Sequence, residues 1–233
     1  MFNINRTTKN KRILPNNQGL TLIELMVVIG IFMMISGVAI FNYGNFNSTI
    51  SLQNLTDDIA LSIRKAQSFA IGARGISDGV SEVDFNKSYG VHFSKNTTPD
   101  TTNLESSSQS FLLFSTKGDL DYDINSSLAC GKINNECIEY FNIMTMDSIK
   151  DIKITKNSVE ESIGPTDTLD IVFTRPNPRA YFCHKSGTNS SPCDVENISS
   201  VKILISNGQE VEKFKAITIQ NTGQISIQND ENK

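Results

Sequence analysis

Histidine is scarce in this chain, with two residues in 233, and the motifs that would make it an enzyme are missing. There is no G-x-S-x-G nucleophile turn, no phosphate-binding P-loop and no H-E-x-x-H zinc helix, so hydrolase, kinase and metalloprotease readings lack their residues. The chain reads as a non-enzyme. Acidic residues are absent from the first 19 positions, which hold Arg6, Lys9, Lys11 and Arg12. No cysteine stands near the adjoining apolar stretch, which leaves a lipoprotein reading without its residue. No A-x-A-like small-residue site comes after that stretch either, and its length exceeds the ~7–15 residues of a secretory h-region.

What is present is one long apolar run. From Leu20 to Phe41 the only side chains that are not apolar are Thr21, Glu24, Ser36 and two glycines. Such a run spans a bilayer as a helix rising ~1.5 Å per residue. A carboxylate inside it is costly, about 2.5–3.5 kcal/mol at the helix centre and less near an end. Glu24 therefore calls for a partner, or for a position from which it reaches back to the interface.

Gly19, Leu20, Thr21, Leu22, Ile23, Glu24, Leu25, Met26 and Val27, behind a short basic segment, resemble the processing site of type IV prepilins and pseudopilins. The resemblance implies cleavage by a prepilin peptidase between Gly19 and Leu20, with methylation of the new Leu20 amine. It also implies that Glu24 pairs with the N-terminal ammonium of a neighbouring subunit during assembly on an inner-membrane platform. The family most often has Phe at the first mature position, where this chain has Leu20. Pairing of this kind offsets the desolvation of both charges, and it couples assembly to neutralisation.

Four cations directly before the run hold that end in the cytoplasm and place the residues beyond Phe41 outside the inner membrane. Removing the four leaves 17 basic against 25 acidic residues, a mature charge of −8. The cysteines agree with an oxidising side: Cys130, Cys137, Cys183 and Cys193 form two sequence-local pairs, and neither has the C-x2–4-C spacing usual in zinc sites. Cys130–Cys137 and Cys183–Cys193 are the favoured pairings among three possible connectivities. His184, beside Cys183, reads as a loop residue.

Beyond Phe41, residues Asn42 to Ser51 are polar and Gly44 is a weak point in a helix. Leu52, Leu55, Ile59, Ile63, Ala66 and Ala70 then recur at 3–4 spacing as one apolar stripe. Gly72, Gly75 and Ser77-Asp78-Gly79 supply stop signals that end the helix between Ala70 and Arg74. From Val80 the texture is that of short β runs: Tyr89–Phe93, Ser110–Ser115, Ile138–Ile143, Ile149–Thr155, Leu169–Thr174, Arg179–Phe182, Val201–Ser206, Phe214–Gln220 and Gln224–Ile227. Asn207-Gly208 and Asn221-Thr222-Gly223 mark the last three as an antiparallel meander. The polar stretch from Asn96 to Ser108 reads as an exposed loop.

The expectation is an α+β fold in which a long N-terminal helix, membrane-spanning in its first half and amphipathic in its second, packs on a C-terminal antiparallel β-rich head. Its parts are a cleaved leader over 1–19, a helix over 20–75 that spans the membrane at about 20–41, and a head over 76–233. Four phrases in order also resemble the FimT and GspH class of minor pilins and pseudopilins. They are Leu61 to Ala70, Tyr89-Gly90-Val91-His92-Phe93, Leu113-Phe114-Ser115, and Ile217-Thr218-Ile219 leading into Thr222-Gly223-Gln224-Ile225. The resemblance covers the middle of the chain, 125–200, poorly.

That class implies a structural subunit of a pilus or a type II secretion pseudopilus, whose partners are other pilin or pseudopilin subunits. Some of its members bind DNA, but the charge of −8 and the tail Asn229-Asp230-Glu231-Asn232-Lys233 argue against a phosphate-binding surface. The rival from another class is an uncleaved, membrane-tethered binding domain that never polymerises. One metal-like phrase remains, Gly118-Asp119-Leu120-Asp121-Tyr122-Asp123, whose alternating carboxylates at Asp119, Asp121 and Asp123 are a weak calcium candidate. It departs from the EF-hand at Ile124 and Cys130, where Gly and Glu are required, and no cofactor is expected. Arg175 and Arg179, flanking two prolines after a strand, read as solvent-facing charges.

Overall fold

The computed structural model describes residues 19–72, 74–75, 85–96, 106–117, 119–123, 130, 136–187, 193, 197–209 and 212–230. The leader cations, the stop signal at 77–79, the centre of the polar stretch, Gly118 and the last three residues lie outside them. The chain divides into two compact units, 1–44 and 45–233.

Among the described residues helical structure is one element, α1 (Leu22–Ile71), and Gly44 lies within it. In the first unit Leu22–Ile40 is long and apolar enough to cross a membrane, and none of it is buried. In the second unit the stripe read from the sequence is the buried face. Ile59, Ile63, Ala66 and Ala70 are fully covered, and Leu52 and Leu55 nearly so. Thr56 is buried in the same face because its hydroxyl donates to the Leu52 carbonyl at 2.6 Å, which removes the cost of an unpaired polar group. Gly72 closes the last turn, its N–H on the Ser68 carbonyl at 2.8 Å.

The described residues of the head form ten strands: β1 (Ser88–Ser94), β2 (Ser110–Thr116), β3 (Cys137–Asn142), β4 (Ser148–Lys156), β5 (Val159–Ser162), β6 (Thr168–Thr174), β7 (Asn177–Lys185), β8 (Ile198–Ser206), β9 (Phe214–Gln220) and β10 (Ile225–Asp230). They form two five-stranded antiparallel sheets, ordered β3-β2-β1-β6-β7 and β10-β9-β8-β4-β5. The three C-terminal strands are the meander that the turn residues imply. Their first connection is longer than a two-residue hairpin, with the Asn207 N–H donating to the Lys213 carbonyl at 3.3 Å.

The helix stripe shares one core with the inner faces of both sheets, among them Val91, Phe93, Leu113 and Ile171 from the first and Ile152, Val201, Ile203 and Ile217 from the second. The outer face of the first sheet has its own small core of Leu112, Phe114, Tyr122, Cys137 and Val172. Hence β1 and β2 are buried at every position, and the centre of β2, Phe111 to Phe114, is an unbroken apolar run rather than an alternating one. Gly90 sits in the middle of β1 because a Cβ there would meet the Phe114 ring at 2.7 Å and the Ile171 carbonyl at 2.8 Å.

Strand β5 is the element the sequence did not announce. All four of its residues are exposed, and its hairpin turns on Asn157-Ser158 rather than Asn-Gly. His184, read as a loop residue, lies in β7. The register there sets it opposite Leu169, and its Nε2 lies 3.0 Å from Asp167 Oδ2.

The helix, the first sheet and the second sheet are tied together where Gln67 Nε2 donates to the Pro178 and Gly223 carbonyls at 3.0 and 3.2 Å. Gly223 has φ +87°, and a Cβ on it would stand 2.1 Å from the Pro178 oxygen. Gly223→Ala should therefore cost more than about 2 kcal/mol, from backbone strain plus the displaced tie. Chemical denaturation of the variant beside the parent checks this, and an unchanged midpoint would show that the turn gives way freely.

Candidate assembly site at the helix N-terminus

A helix leaves its first backbone N–H groups without intrahelical partners, and here the chain supplies them from its own sequence. Thr21 precedes α1 as its N-cap, and its carbonyl accepts the first helical bond, from the Leu25 N–H at 3.2 Å. The Glu24 N–H donates to the Thr21 Oγ1 at 3.3 Å. In return Glu24 Oε2 accepts from the Thr21 N–H at 3.1 Å and from the Thr21 hydroxyl at 3.0 Å. This reciprocal pair is a capping box, and its signal in the sequence is the T-x-x-E of Thr21 to Glu24.

That geometry changes the electrostatic account of Glu24. The carboxylate is not a bare charge in an apolar run, because one oxygen is held by two donors of its own chain, at the positive end of the helix dipole. Oε1 has no hydrogen-bond partner among the described residues. Gly19 and Leu20 are exposed, Leu20 at 75%.

Residues 14–40 match the family model of the prokaryotic N-terminal methylation motif. That motif marks the type IV pilin and pseudopilin class, and this chain carries it. No curated protein and no solved structure matches the chain. The pilin-like N-terminus thus stands on the matched segment, on the apolar helix and on the capping geometry around Glu24. The class is structural rather than enzymatic.

The cysteines of this pilin-like chain lie in the two favoured pairs, Cys130 with Cys137 and Cys183 with Cys193, at Cα–Cα distances of 4.7 and 5.2 Å. The described residues of the acidic phrase are engaged with the first sheet and its neighbours. Its Tyr122 is fully buried as a plug on the outer face of the first sheet. Asp121 pairs with Lys185 at 2.6 Å, and the Asp123 N–H donates to Glu136 Oε2 at 2.9 Å. Among the described residues, no three His, Cys, Asp or Glu side chains are gathered to hold a metal ion.

A buried pair and a half-buried carboxyl in this region escape a sequence reading. His92 Nδ1 lies 2.5 Å from Asp170 Oδ1, both side chains being 1% exposed, while Asp170 Oδ2 accepts the Tyr122 N–H at 3.1 Å. Only the pairing of β1 with β6, which sets His92 opposite Asp170, brings them together. Glu136 is the other. Burial pushes its carboxyl up to about 7, and the Asp123, Asp119 and Asp121 carboxylates add to this against the Asp123 backbone N–H, which lowers it.

A carboxyl raised in the folded state keeps its proton where the unfolded chain has lost it, so its contribution to stability is full below about 4.5 and is lost as pH rises to about 7. Glu136→Gln removes that slope. The variant should gain in melting temperature over the parent between pH 5 and pH 8, and equal differences at both pH values would show that Glu136 does not titrate in this window.

Proposed function

We propose that the protein is a structural subunit, of the minor kind, of a type IV pilus or type II secretion pseudopilus. Prepilin peptidase cuts it after Gly19, and the Leu20 amine is methylated. The observation that carries this reading is the methylation motif over residues 14–40 with Glu24 held at the cap of the apolar helix. The cleaved chain is anchored in the inner membrane by the span within Leu22–Ile40, with the head extracytoplasmic, and is then drawn into a filament with other subunits. The FimT- and GspH-like phrases in the head support the minor class. Among them, Leu61 to Ala70 forms the last turns of α1, and Tyr89 to Phe93 forms the centre of β1.

Assembly follows from the chemistry of the first turn. Cleavage creates a cation at Leu20, and Thr21 already fixes one Glu24 oxygen, so the carboxylate is oriented before a neighbour arrives. Its other oxygen accepts the neighbouring ammonium, and the pair leaves water together, which costs far less than burying either charge alone. The cap and the intersubunit bridge are thus two uses of the same carboxylate.

Mass and N-terminal sequence of the protein from its own membranes test the processing step. A chain beginning at methylated Leu20 is expected, and an intact Met1 start would leave a tethered binding domain as the reading. The two uses of Glu24 are separated by substitution. Glu24→Gln keeps the capping box and removes the charge, whereas Glu24→Ala removes both. If the bridge governs assembly, both variants should enter filaments about tenfold less well than the parent, in step with a lost charge pair. Rescue by Gln alone would assign Glu24 to the cap.

A further inference from the structure

Left-handed backbone is costly for residues that carry a side chain, and the described chain handles it in two ways. At 187, 208 and 223 it uses glycine. At Asn157 (φ 49°), Ser158 (φ 68°) and Asn197 (φ 65°) it does not, and all three line the same groove of about 500 Å³ on the head. Asn157 and Ser158 form the two-residue turn between β4 and β5, a turn whose second position is ordinarily Gly. Asn197 enters β8. Asn tolerates this conformation better than other side chains, so Asn157 and Asn197 fit it by propensity and Ser158 is held against it, and the three together give one groove two amides and a hydroxyl.

The opposite wall is the edge strand β7, with Arg179 and Tyr181, and the floor is closed where the Ala180 N–H donates to the Asn221 carbonyl at 3.1 Å. Tyr181 is 37% exposed. Among the described residues, the Arg179 guanidinium and the amides of Asn157, Asn197 and Asn221 have no side-chain hydrogen-bond partner, and no carboxylate lines the groove. Amides both donate and accept, as vicinal hydroxyls require; a phenol ring offers a flat apolar face; one guanidinium takes one carboxylate in a fork. A nucleic-acid strand would need several cations along its phosphates, and among the described residues Arg179 is the one cation that lines the groove.

We propose that this groove binds an acidic saccharide, a uronate-bearing chain whose carboxylate sits on Arg179 and whose hydroxyls are read by Asn157, Asn197 and Asn221. Tyr181 covers the apolar face of one sugar ring. This gives the head a ligand of its own, independent of how the N-terminal helix assembles.

Calorimetric titration of the full chain in detergent micelles tests it, with trigalacturonate, neutral maltotriose and a thymidine oligonucleotide as probes. Saturable binding of trigalacturonate is expected, about tenfold tighter than maltotriose, and Arg179→Gln should abolish that preference. The double variant Asn157→Gly, Ser158→Gly should melt no lower than the parent, since strain is relieved, yet bind trigalacturonate more weakly. Failure of trigalacturonate to saturate, equal affinity for maltotriose, indifference to either variant, or tighter binding of the oligonucleotide would each overturn the assignment.

Discussion

Burial of one helical stripe under two sheets is the constraint on which the head depends. Leu52, Ile59, Ile63, Ala66 and Ala70 contact a core to which both sheets contribute, so neither sheet has a complete inner layer without the helix. The stripe narrows from Leu and Ile to Ala along its length, and small side chains let the strands approach the helix closely at that end. There Gln67 caps the contact by reaching the carbonyls of Pro178 and Gly223. Polar ties flank the stripe at its other end, where Lys213 donates to Thr49 and Ser51 to Asp147, and these fix the rotation of the helix that hydrophobic contact alone leaves loose.

The same economy of partners governs the ionisable groups. Glu24 is held by Thr21, three residues away, before any second molecule is considered. Asp170 lies deep beside His92 and accepts the backbone N–H of Tyr122, whose ring stands 5.1 Å from that of His92, so Tyr122 is held through both its backbone and its ring. Tyr122 packs with Leu112, Phe114 and Val172 on the outer face of the first sheet. The cost is Glu136, left among three aspartates with its proton retained toward neutral pH.

Much of this was legible in the residues, and the remainder was hidden for a common cause. Periodicity reports which face is apolar, so the stripe from Leu52 to Ala70 and nine of the ten strands can be read directly. Periodicity says nothing about which strand lies beside which. The non-sequential order β3-β2-β1-β6-β7 is therefore invisible in the sequence, and with it the meeting of His92 and Asp170. Strand β5 has no apolar face at all, and it exists because β4 offers it hydrogen bonds and Lys153 pairs with Glu160 at 3.1 Å. The capping box was written in Thr21 and Glu24, but the burial cost of a carboxylate in an apolar run points outward to another subunit and masks the local partner three residues away.

Sheet edges set a further condition on any chain that assembles through its helix. Two open sheets have four edge strands, β3, β7, β10 and β5, and unpaired edges invite strand-to-strand addition that would compete with ordered helical packing. Each edge here carries a deterrent. Strand β3 holds Glu139, paired with Lys65 at 2.5 Å; β7 opens with Pro178, which has no N–H to offer; β5 is four residues long and carries Glu160 and Glu161; β10 runs through Gln228 and Asn229 toward the acidic tail of the sequence. Strand addition at the edges of the two described sheets is thereby discouraged on all four sides.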